Sequence, residues 1–291
     1  MKARAFTYHA PESMEEALGL LADLGDNGKV LAGGQSLGPL LNLRLVSPGV
    51  LIDVNRIPGL DTVGVEAGFL RLGALVRHRT LEGSPEVRAA SPLIAEAAAQ
   101  IGHVAIRNRG TLGGSLAHAD PAAELPATLV CLDGEVELHS AIGKRVLGAA
   151  EFFTGPLTSA TASDEMVVGA RVPVPSGTTG HAWLEFARRH GDFALVGVAA
   201  RVTVDGLGYC SEARIVLAGV GGVPLSVPLS AEALVGERPT RETCAAAATL
   251  APASVEPGSN HPADDDYRRR LVRVLVERAL CLAAARAGVT A

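Results

Sequence analysis

Two glycine pairs, each flanked by polar side chains, are the residues of this sequence best suited to binding a ligand. The first pair, Gly33-Gly34, is followed by Gln35 and Ser36 and ends a short apolar run. A turn from strand to helix leaves backbone N–H groups free to donate to an anion, which the helix dipole also favours. Glycine lets a phosphate approach closely because no Cβ intervenes. The pattern indicates an anion site, but it also fits an ordinary strand-to-helix turn.

The second pair, Gly113-Gly114, lies between the hydroxyl residues Thr111 and Ser115. Two such turns in one domain, each beside an apolar strand, predict a dinucleotide whose pyrophosphate is held from both sides. Neither turn has the G-x-G-x-x-G spacing of a Rossmann nicotinamide site, and no acidic residue follows at the ribose-binding distance. Residues 219–222 come closest, but Pro224 occupies the last glycine position. No Walker motif is present.

Four residues of metal-binding type surround the second pair: His103, His118, Asp120 and Glu124. Their spacing matches neither an H-E-x-x-H motif nor a facial triad, and Asp120 fits better as the cap of a helix over residues 122–132. No Ser/His/Asp or Cys/His arrangement indicates a nucleophilic site. We therefore predict no metal and no catalytic side chain in this chain, and a cofactor that does the chemistry itself.

The four cysteines are scattered and form no C-x-x-C pair: Cys131, Cys210, Cys244 and Cys281. This spacing argues against an iron–sulfur or zinc site within the chain. Reduced, buried thiols are typical of a cytoplasmic protein. Residues 1–8 lack the apolar run of a signal peptide, so we expect a cytoplasmic location.

Composition restricts the class of protein further. The 291 residues carry 26 Lys+Arg and 31 Asp+Glu, and the formal net charge of −5 gives no basic footprint for nucleic acid. A hydrophobic fraction of 48% excludes a disordered chain. No stretch approaches the roughly 20 uncharged apolar residues that cross a bilayer.

The first fifty-odd residues are predicted to alternate helix, strand, helix, strand. Ser13 and Glu16 have the spacing of a capping box, and Gly25 gives the helix a stop. A strand over residues 29–32, a helix over residues 38–45 and a strand over residues 50–54 follow.

Later segments predict a second mixed region. We expect strands or strand pairs over residues 62–76, 135–147, 166–172, 194–204 and 213–220, and helices over residues 92–101 and from Asp264 onward. The Pro- and Gly-rich residues 173–180 are predicted to be a linker. We therefore divide the chain into an α+β domain of residues 1–176, with subdomains of about 1–56 and 57–176, and a smaller α+β domain of residues 177–291.

Taken in order along the chain, both glycine motifs and several further segments resemble a known family. The further segments are residues 44–45, 51–55, 106–110, 119–122 and 188–194. The family is the FAD-binding medium subunit of the molybdenum hydroxylases, of the carbon monoxide dehydrogenase and xanthine dehydrogenase type, and the similarity covers essentially the whole chain. It implies a PCMH-type FAD-binding domain of two α+β subdomains, followed by a smaller C-terminal flavoprotein domain.

The resemblance also implies which residues contact FAD. They are Leu31, Ala32, Gly33, Gly34, Gln35, Ser36, Leu37, Thr111, Gly113, Gly114, Ser115, Glu124, Val167 and Phe193. The two glycine segments would wrap the pyrophosphate and ribityl chain. Val167 would line the flavin pocket, and Phe193 would lie near the isoalloxazine. Gln35 replaces a His of some relatives and Ser115 a common Asn, so the flavin potential could differ.

The implied partners are a large subunit with the molybdenum cofactor and a small 2Fe-2S subunit, assembled as a dimer of heterotrimers. Electrons would pass from the 2Fe-2S subunit to FAD and then to an external acceptor. Two alternatives stay open. One is a stand-alone FAD-dependent reductase on a related fold, which would need a proton donor beside the flavin. The other is a non-redox scaffold without the cofactor, against which the two intact glycine pairs argue.

Overall fold

The computed structural model describes residues 1–175, 177–255 and 264–289. Its first sheet is parallel, with the strand order β1-β3-β2. The strands are β1 (Thr7–His9), β2 (Gly28–Leu31) and β3 (Val50–Asp53), and the helices between them are α1 (Met14–Leu24) and α2 (Leu37–Leu43). This is the helix and strand alternation predicted for residues 13–54.

The start of α1 confirms Ser13 as the predicted cap, but the reciprocal bond of a capping box goes to the residue before it. The Ser13 hydroxyl accepts a hydrogen bond from the Glu16 N–H at 3.2 Å, which satisfies one of the free donors at the helix start. The Glu16 carboxylate accepts from the N–H of Glu12, one residue before the cap, at 3.2 Å. Gly25 ends the helix with φ of 50°, a backbone conformation that glycine adopts without a steric penalty.

The second sheet is antiparallel, with the strand order β4-β5-β10-β6-β7. Its strands are β4 (Val63–Glu66), β5 (Phe69–Gly73), β6 (Glu135–Ser140), β7 (Gly143–Gly148) and, after the short pair β8 (Phe153–Gly155) and β9 (Thr158–Ser159), β10 (Met166–Pro173). The helices of this region are α3 (His78–Gly83), α4 (Pro85–Ala90), α5 (Pro92–Gln100), α6 (Val104–Arg107), α7 (Leu112–His118), α8 (Glu124–Cys131) and α9 (Ala149–Phe152). The predicted hairpin over residues 135–147 is confirmed as β6 and β7.

The third sheet is antiparallel and is covered on both faces. Its strands are β11 (Thr178–Phe186), β12 (Val196–Val204), β13 (Cys210–Ala218) and β14 (Leu225–Ser226), and they precede α10 (Pro228–Glu232), α11 (Arg241–Ala248) and α12 (Asp265–Arg286). Because side chains alternate between faces, Ala199 and Val216 join the core that includes α5 and α8, whereas Val198 and Leu217 join the core under α12. One apolar core therefore runs from the second sheet into the third.

Two sequence predictions for element ends are wrong. The expected linker over residues 173–180 is much shorter, because β10 runs to Pro173 and β11 already begins at Thr178. Ser176, the predicted domain boundary, lies outside the described residues. Asp120 does not cap the next helix: its carboxylate accepts from the Ala122 N–H at 2.9 Å in a preceding turn, and α8 begins only at Glu124.

Candidate functional site

The first glycine pair forms the turn that joins β2 to α2, as predicted. Gly33 is buried, and Gly34 has φ of 71°, a conformation that favours glycine. The Gln35 side chain folds back and donates from Nε2 to the Gly33 carbonyl at 3.1 Å. The Ser36 side chain is exposed at the start of α2. We refer to residues 33–37 as the amide turn.

The backbone donors of the amide turn are unused. Within the described part of the chain, no N–H group of residues 33–37 donates a hydrogen bond, whereas the next N–H, that of Gly38, donates to the Gly34 carbonyl at 2.9 Å. Partly buried donors without partners are costly, and most find a partner in native proteins. Five free N–H groups at a helix start fit the oxygens of a phosphate or diphosphate.

The second glycine pair differs from its prediction. It lies inside a helix, since Thr111 is the cap of α7 and its hydroxyl accepts from the Gly114 N–H at 3.1 Å. The other N–H groups are also bonded: Leu112 donates to Val76 at 2.9 Å, Gly113 to Ala74 at 2.8 Å and Ser115 to Thr111 at 3.0 Å. The backbone N–H groups of residues 112–115 are therefore not a second free cradle, because the fold itself uses them.

The amide turn nevertheless contacts the segment that leads into Thr111. A Cβ on Gly33 would overlap the carbonyl of Arg109 and would lie 2.9 Å from the Gly110 Cα. A Cβ on Gly110 itself would lie 2.7 Å from the ring of His78. The missing side chain of Gly33 thus allows the backbones of the two motifs to touch, which brings them to one site, and the missing side chain of Gly110 makes room for His78.

The His78 ring contacts the backbone of the second motif at Thr111. Its Nε2 lies 3.0 Å from the Thr111 carbonyl, and the ring is 6% exposed. The pKa of His78 is lowered to about 4, mainly because the ring is buried; the Thr111 contact opposes the shift, and the nearby Arg107 and Arg77 charges add to it. The imidazole is therefore neutral near pH 7 and donates to Thr111 from Nε2.

Two polar residues without a predicted role join the motifs. Asn55 donates from Nδ2 to the Ala32 carbonyl at 2.8 Å, and Arg77 donates to Asn55 Oδ1 at 2.7 Å. Arg77 also donates from Nη1 to the Arg109 carbonyl. Asn55 stands in a segment that carries the family resemblance, which is a signal for it; no sequence pattern points to Arg77.

Glu124 is buried at the start of α8, with 6% of its surface exposed. The pKa of Glu124 is raised to about 8, mainly by burial; the neighbouring Glu185 and Asp120 charges add to the shift, and a hydrogen bond to the Glu124 backbone opposes it. Glu185 lies on β11 and accepts from the Trp183 Nε1 at 2.9 Å, and burial raises its pKa too. Glu124 is therefore mostly protonated near pH 7 and can donate a hydrogen bond.

Two predicted contact residues, Val167 and Phe193, lie outside the two glycine motifs. Val167 is 6% exposed and packs in the core of the second sheet. The next residue, Val168, accepts from the Ala74 N–H at 2.9 Å, and a Cβ on Gly113 would overlap Ala74. Phe193 is 66% exposed on the segment between β11 and β12.

That segment approaches the second motif from the C-terminal side. The His190 ring lies 6.3 Å from the His103 ring, edge to face, and His103 directly precedes α6. A Cβ on Gly191 would lie 2.7 Å from the same His103 ring. The exposed Phe193 thus belongs to a loop that packs near the start of the second motif.

Residues 219–222, the near match to a Rossmann motif, lie where the first region meets the third sheet. The Gly219 N–H donates to the Pro121 carbonyl at 2.8 Å, and the Gly219 carbonyl accepts from Arg268 at 2.8 Å. Its φ is 78°, and a Cβ there would lie 2.7 Å from the Ala194 carbonyl. This turn therefore has a structural role between the two regions.

The described residues contain neither a cluster of metal ligands nor a membrane-spanning helix. No three His, Cys, Asp or Glu side chains in residues 1–175, 177–255 and 264–289 are grouped as metal ligands. The helices of those residues include none with the length and hydropathy needed to span a bilayer. All four cysteines are free thiols.

Comparison with known protein families explains both regions of the chain. Residues 4–175 match the family described as FAD binding domain in molybdopterin dehydrogenase. Residues 181–283 match the CO dehydrogenase flavoprotein C-terminal domain. The two matches together cover most of the chain.

Individual relatives match over nearly their whole length. The chain is 42% identical to the 6-hydroxypseudooxynicotine dehydrogenase complex subunit alpha of Paenarthrobacter nicotinovorans, over 100% of this chain and 98% of that protein. It is 38% identical to the carbon monoxide dehydrogenase medium chain of Hydrogenophaga pseudoflava, over 97% and 98% of the two chains.

Solved structures agree. A carbon monoxide dehydrogenase of Hydrogenophaga pseudoflava superposes with a TM-score of 0.94 at 39% identity, over 98% of this chain and 99% of that one. Quinoline 2-oxidoreductase of Pseudomonas putida 86 also gives 0.94, at 37% identity and 99% coverage of both chains. The chain is therefore an oxidoreductase subunit that belongs to the FAD-binding medium subunits of the molybdenum hydroxylases.

Proposed function

We propose that this chain carries FAD at the amide turn, accepts electrons from a 2Fe-2S subunit and passes them to an external acceptor. The observation that carries the site is the set of five unbonded N–H groups of residues 33–37, packed against the Arg109 and Gly110 backbone. When bound, FAD exchanges one or two electrons at a time, which suits a position between single-electron carriers and a two-electron acceptor.

The chain's own residues bind and orient the cofactor in this proposal. The N–H groups of the amide turn would donate to the diphosphate. Leu31 and Ala32 directly precede the amide turn and fix where it begins. The Ser36 and Ser115 hydroxyls add side-chain donors, while Thr111, Gly113 and Gly114 shape the opposite wall. The protonated Glu124 carboxyl would donate a hydrogen bond to the bound cofactor, a role that its raised pKa of about 8 supports.

Two further contacts concern the flavin ring. The exposed Phe193 offers an apolar face that can lie beside the isoalloxazine. Val167 is 6% exposed in the core. It would line the flavin pocket and exclude water from the ring.

The FAD-binding domain is proposed to span residues 1–176, with subdomains of about 1–56 and 57–176. The C-terminal flavoprotein domain would span residues 177–291.

The proposed partners are a large molybdenum-cofactor subunit and a small 2Fe-2S subunit, arranged as a dimer of heterotrimers. The relatives named above are called a medium chain and a complex subunit, which supports partners of this kind. The free and scattered cysteines of this chain favour an iron–sulfur cluster on another subunit. The substrate pocket would likewise lie on the large subunit.

Electron transfer can be tested in the complex co-purified with its partners. Light-driven reduction would place electrons on the clusters, and stopped-flow absorbance would follow clusters and flavin separately. We expect flavin reduction in wild type and Gly38→Ala, and clusters that stay reduced in Gly33→Ala because FAD is absent. Flavin reduction no faster in the complex than in the isolated chain would contradict the route. Turnover by the isolated chain would instead favour a stand-alone reductase.

A further inference from the structure

Arg77 lies at the junction between the two motifs. It directly precedes α3 and forms an isolated bridge with Thr111. One of its terminal nitrogens, Nη2, donates to Asn55 Oδ1 at 2.7 Å. The other, Nη1, donates to the Arg109 carbonyl, the group that packs against Gly33. One guanidinium thus bonds to both sides of the contact between the motifs.

Asn55 transmits this contact to the amide turn. Its Nδ2 donates to the Ala32 carbonyl at 2.8 Å and also to Asp53 Oδ1 at 2.6 Å. The carbonyl and the N–H of one trans peptide point in opposite directions. Fixing the Ala32 carbonyl therefore aims the Gly33 N–H, the first donor of the amide turn, away from Asn55.

Hydrogen bonds also fix the end of this series of contacts at Asp53, the last residue of β3. Asp53 Oδ1 accepts from the Asn55 backbone N–H at 2.9 Å, and Asp53 Oδ2 accepts from the Tyr8 hydroxyl at 2.6 Å. Asn55 is thus fixed at both ends of its side chain. A change in the position of Arg77 would therefore move the Asn55 side chain and, through it, the Ala32 carbonyl.

Arg77 forms no direct ion pair. In the described residues, no carboxylate lies within the 4.0 Å ion-pair distance of Arg77; Asp61 lines the same cavity of about 300 Å³ but is not paired with it. Burial lowers the pKa of Arg77 and the neighbouring Arg109 charge lowers it further, while the more distant charges of Asp53 and Asp61 oppose the shift. A partly buried cation beside a second cation favours a nearby anion.

We propose that Arg77 is the positioning residue of the diphosphate site: it holds the amide turn against Arg109 and Gly110 and adds a positive charge to the site. This proposal rests on the proposed function, because it assigns a role within the same FAD site. Arg77 is not a catalytic residue, since its contacts are with Asn55 and the Arg109 carbonyl. Its effect on the cofactor passes through the turn and through its charge.

The test measures binding of FAD, ADP and adenosine to the full-length apoprotein by titration calorimetry. The variants are Arg77→Gln and Arg77→Lys, and the matched control is Arg79→Gln, an exposed arginine that pairs with Glu82 at 3.0 Å. We expect Arg77→Gln to weaken FAD and ADP by the same factor, about 10- to 100-fold, because a charge-assisted contact to the diphosphate site is lost. Adenosine, which lacks phosphate, should bind equally to all four proteins.

Two further readouts separate positioning from a general loss of folding. Affinity of wild type for ADP should fall with salt more steeply than that of Arg77→Gln, since one charge is missing in the variant. Arg77→Lys should recover part of the ADP affinity through its charge, and serves alone if Arg77→Gln does not fold. FAD affinity of Arg77→Gln within twofold of wild type, or equal weakening of adenosine, would overturn the proposal. A wild type that binds no FAD would instead overturn the proposed function.

Discussion

Gly33 packs so closely on Arg109 that a Cβ on residue 33 would overlap the Arg109 carbonyl, with the Gly110 Cα only 2.9 Å away. Both obstacles are backbone, so they cannot rotate aside as a flexible side chain would. We expect Gly33→Ala to separate the amide turn from the second motif and to weaken FAD binding by about 100-fold, because overpacking costs roughly 1–3 kcal/mol and about 1.4 kcal/mol is a tenfold change in affinity. Absorbance at 450 nm per mole of purified protein measures the retained flavin.

A matched control lies in α2. Gly38 directly follows the amide turn and has nothing within 4 Å of a Cβ position. Gly38→Ala should keep its FAD and raise the free energy of unfolding by about 0.5–1 kcal/mol, since alanine favours helix over glycine. Equal FAD content in the two variants would contradict the importance of the Gly33 contact.

The Thr111 cap gives a second prediction. Removing its hydroxyl in Thr111→Ala leaves the Gly114 N–H without its 3.1 Å partner, so the free energy of unfolding should fall by about 1 kcal/mol. Thr111→Ser keeps an oxygen in the same place and should lose much less. Urea unfolding of both apoproteins checks the difference, and equal losses in the two variants would argue against the cap.

Glu124 predicts a dependence of stability on pH. The folded chain keeps a proton on this carboxyl up to about pH 8, whereas an ordinary carboxyl loses it near 4.5. The folded state therefore binds more protons between these values, and this contribution to the free energy of unfolding falls as pH rises, by at most about 1.4 kcal/mol per pH unit. Below pH 4.5 the contribution is fully present.

Glu124→Gln removes the titrating group while keeping the shape of the side chain. Unfolding of the apoprotein by urea at pH 5.5 and pH 8 should show a smaller loss of stability with pH in the variant than in wild type. The comparison between the two proteins cancels the contributions of other titrating residues such as His78. Identical pH dependence in both would show that Glu124 is not held neutral.

The packing of α12 on the third sheet predicts a change in the C-terminal region. A Cβ on Gly180, in β11, would overlap the Ala283 carbonyl and lie 2.6 Å from the Ala287 N. Gly180→Ala should lower the free energy of unfolding by about 3 kcal/mol or more, because a helix backbone must move. Gly206→Ala, at a position with nothing within 4 Å, is the control; a loss of similar size there would contradict this explanation.

The sequence predicts elements whose signals are local. Ser13 and Gly25 mark the two ends of α1, and Asp264 caps α12 by accepting from the Tyr267 N–H at 2.6 Å. The residues around Asp120 mislead for a local reason as well: its carboxylate satisfies the turn before α8 and leaves the cap position to Ala123. Short helices such as α3 and α6 are too brief to show a helical period.

For the site, sequence reasoning identifies both glycine pairs but not how their donors are used. Whether an N–H is free depends on distant partners, and the Leu112 and Gly113 N–H groups bond to Val76 and Ala74 in another segment. The role of Arg77 cannot be predicted from the sequence for a related reason. Its role follows from contacts with Asn55 and Arg109, which lie 22 and 32 residues away along the chain.

The two motifs differ in whether their N–H groups are free, and residue-resolved hydrogen–deuterium exchange with and without FAD measures this difference directly. The N–H groups of residues 33–37 have no partner in the described chain and should exchange rapidly in the apoprotein, then slow by about tenfold or more when FAD binds. Those of residues 112–115 are already bonded and should change much less. Protection by FAD at residues 112–115 without protection at residues 33–37 would contradict the proposed site.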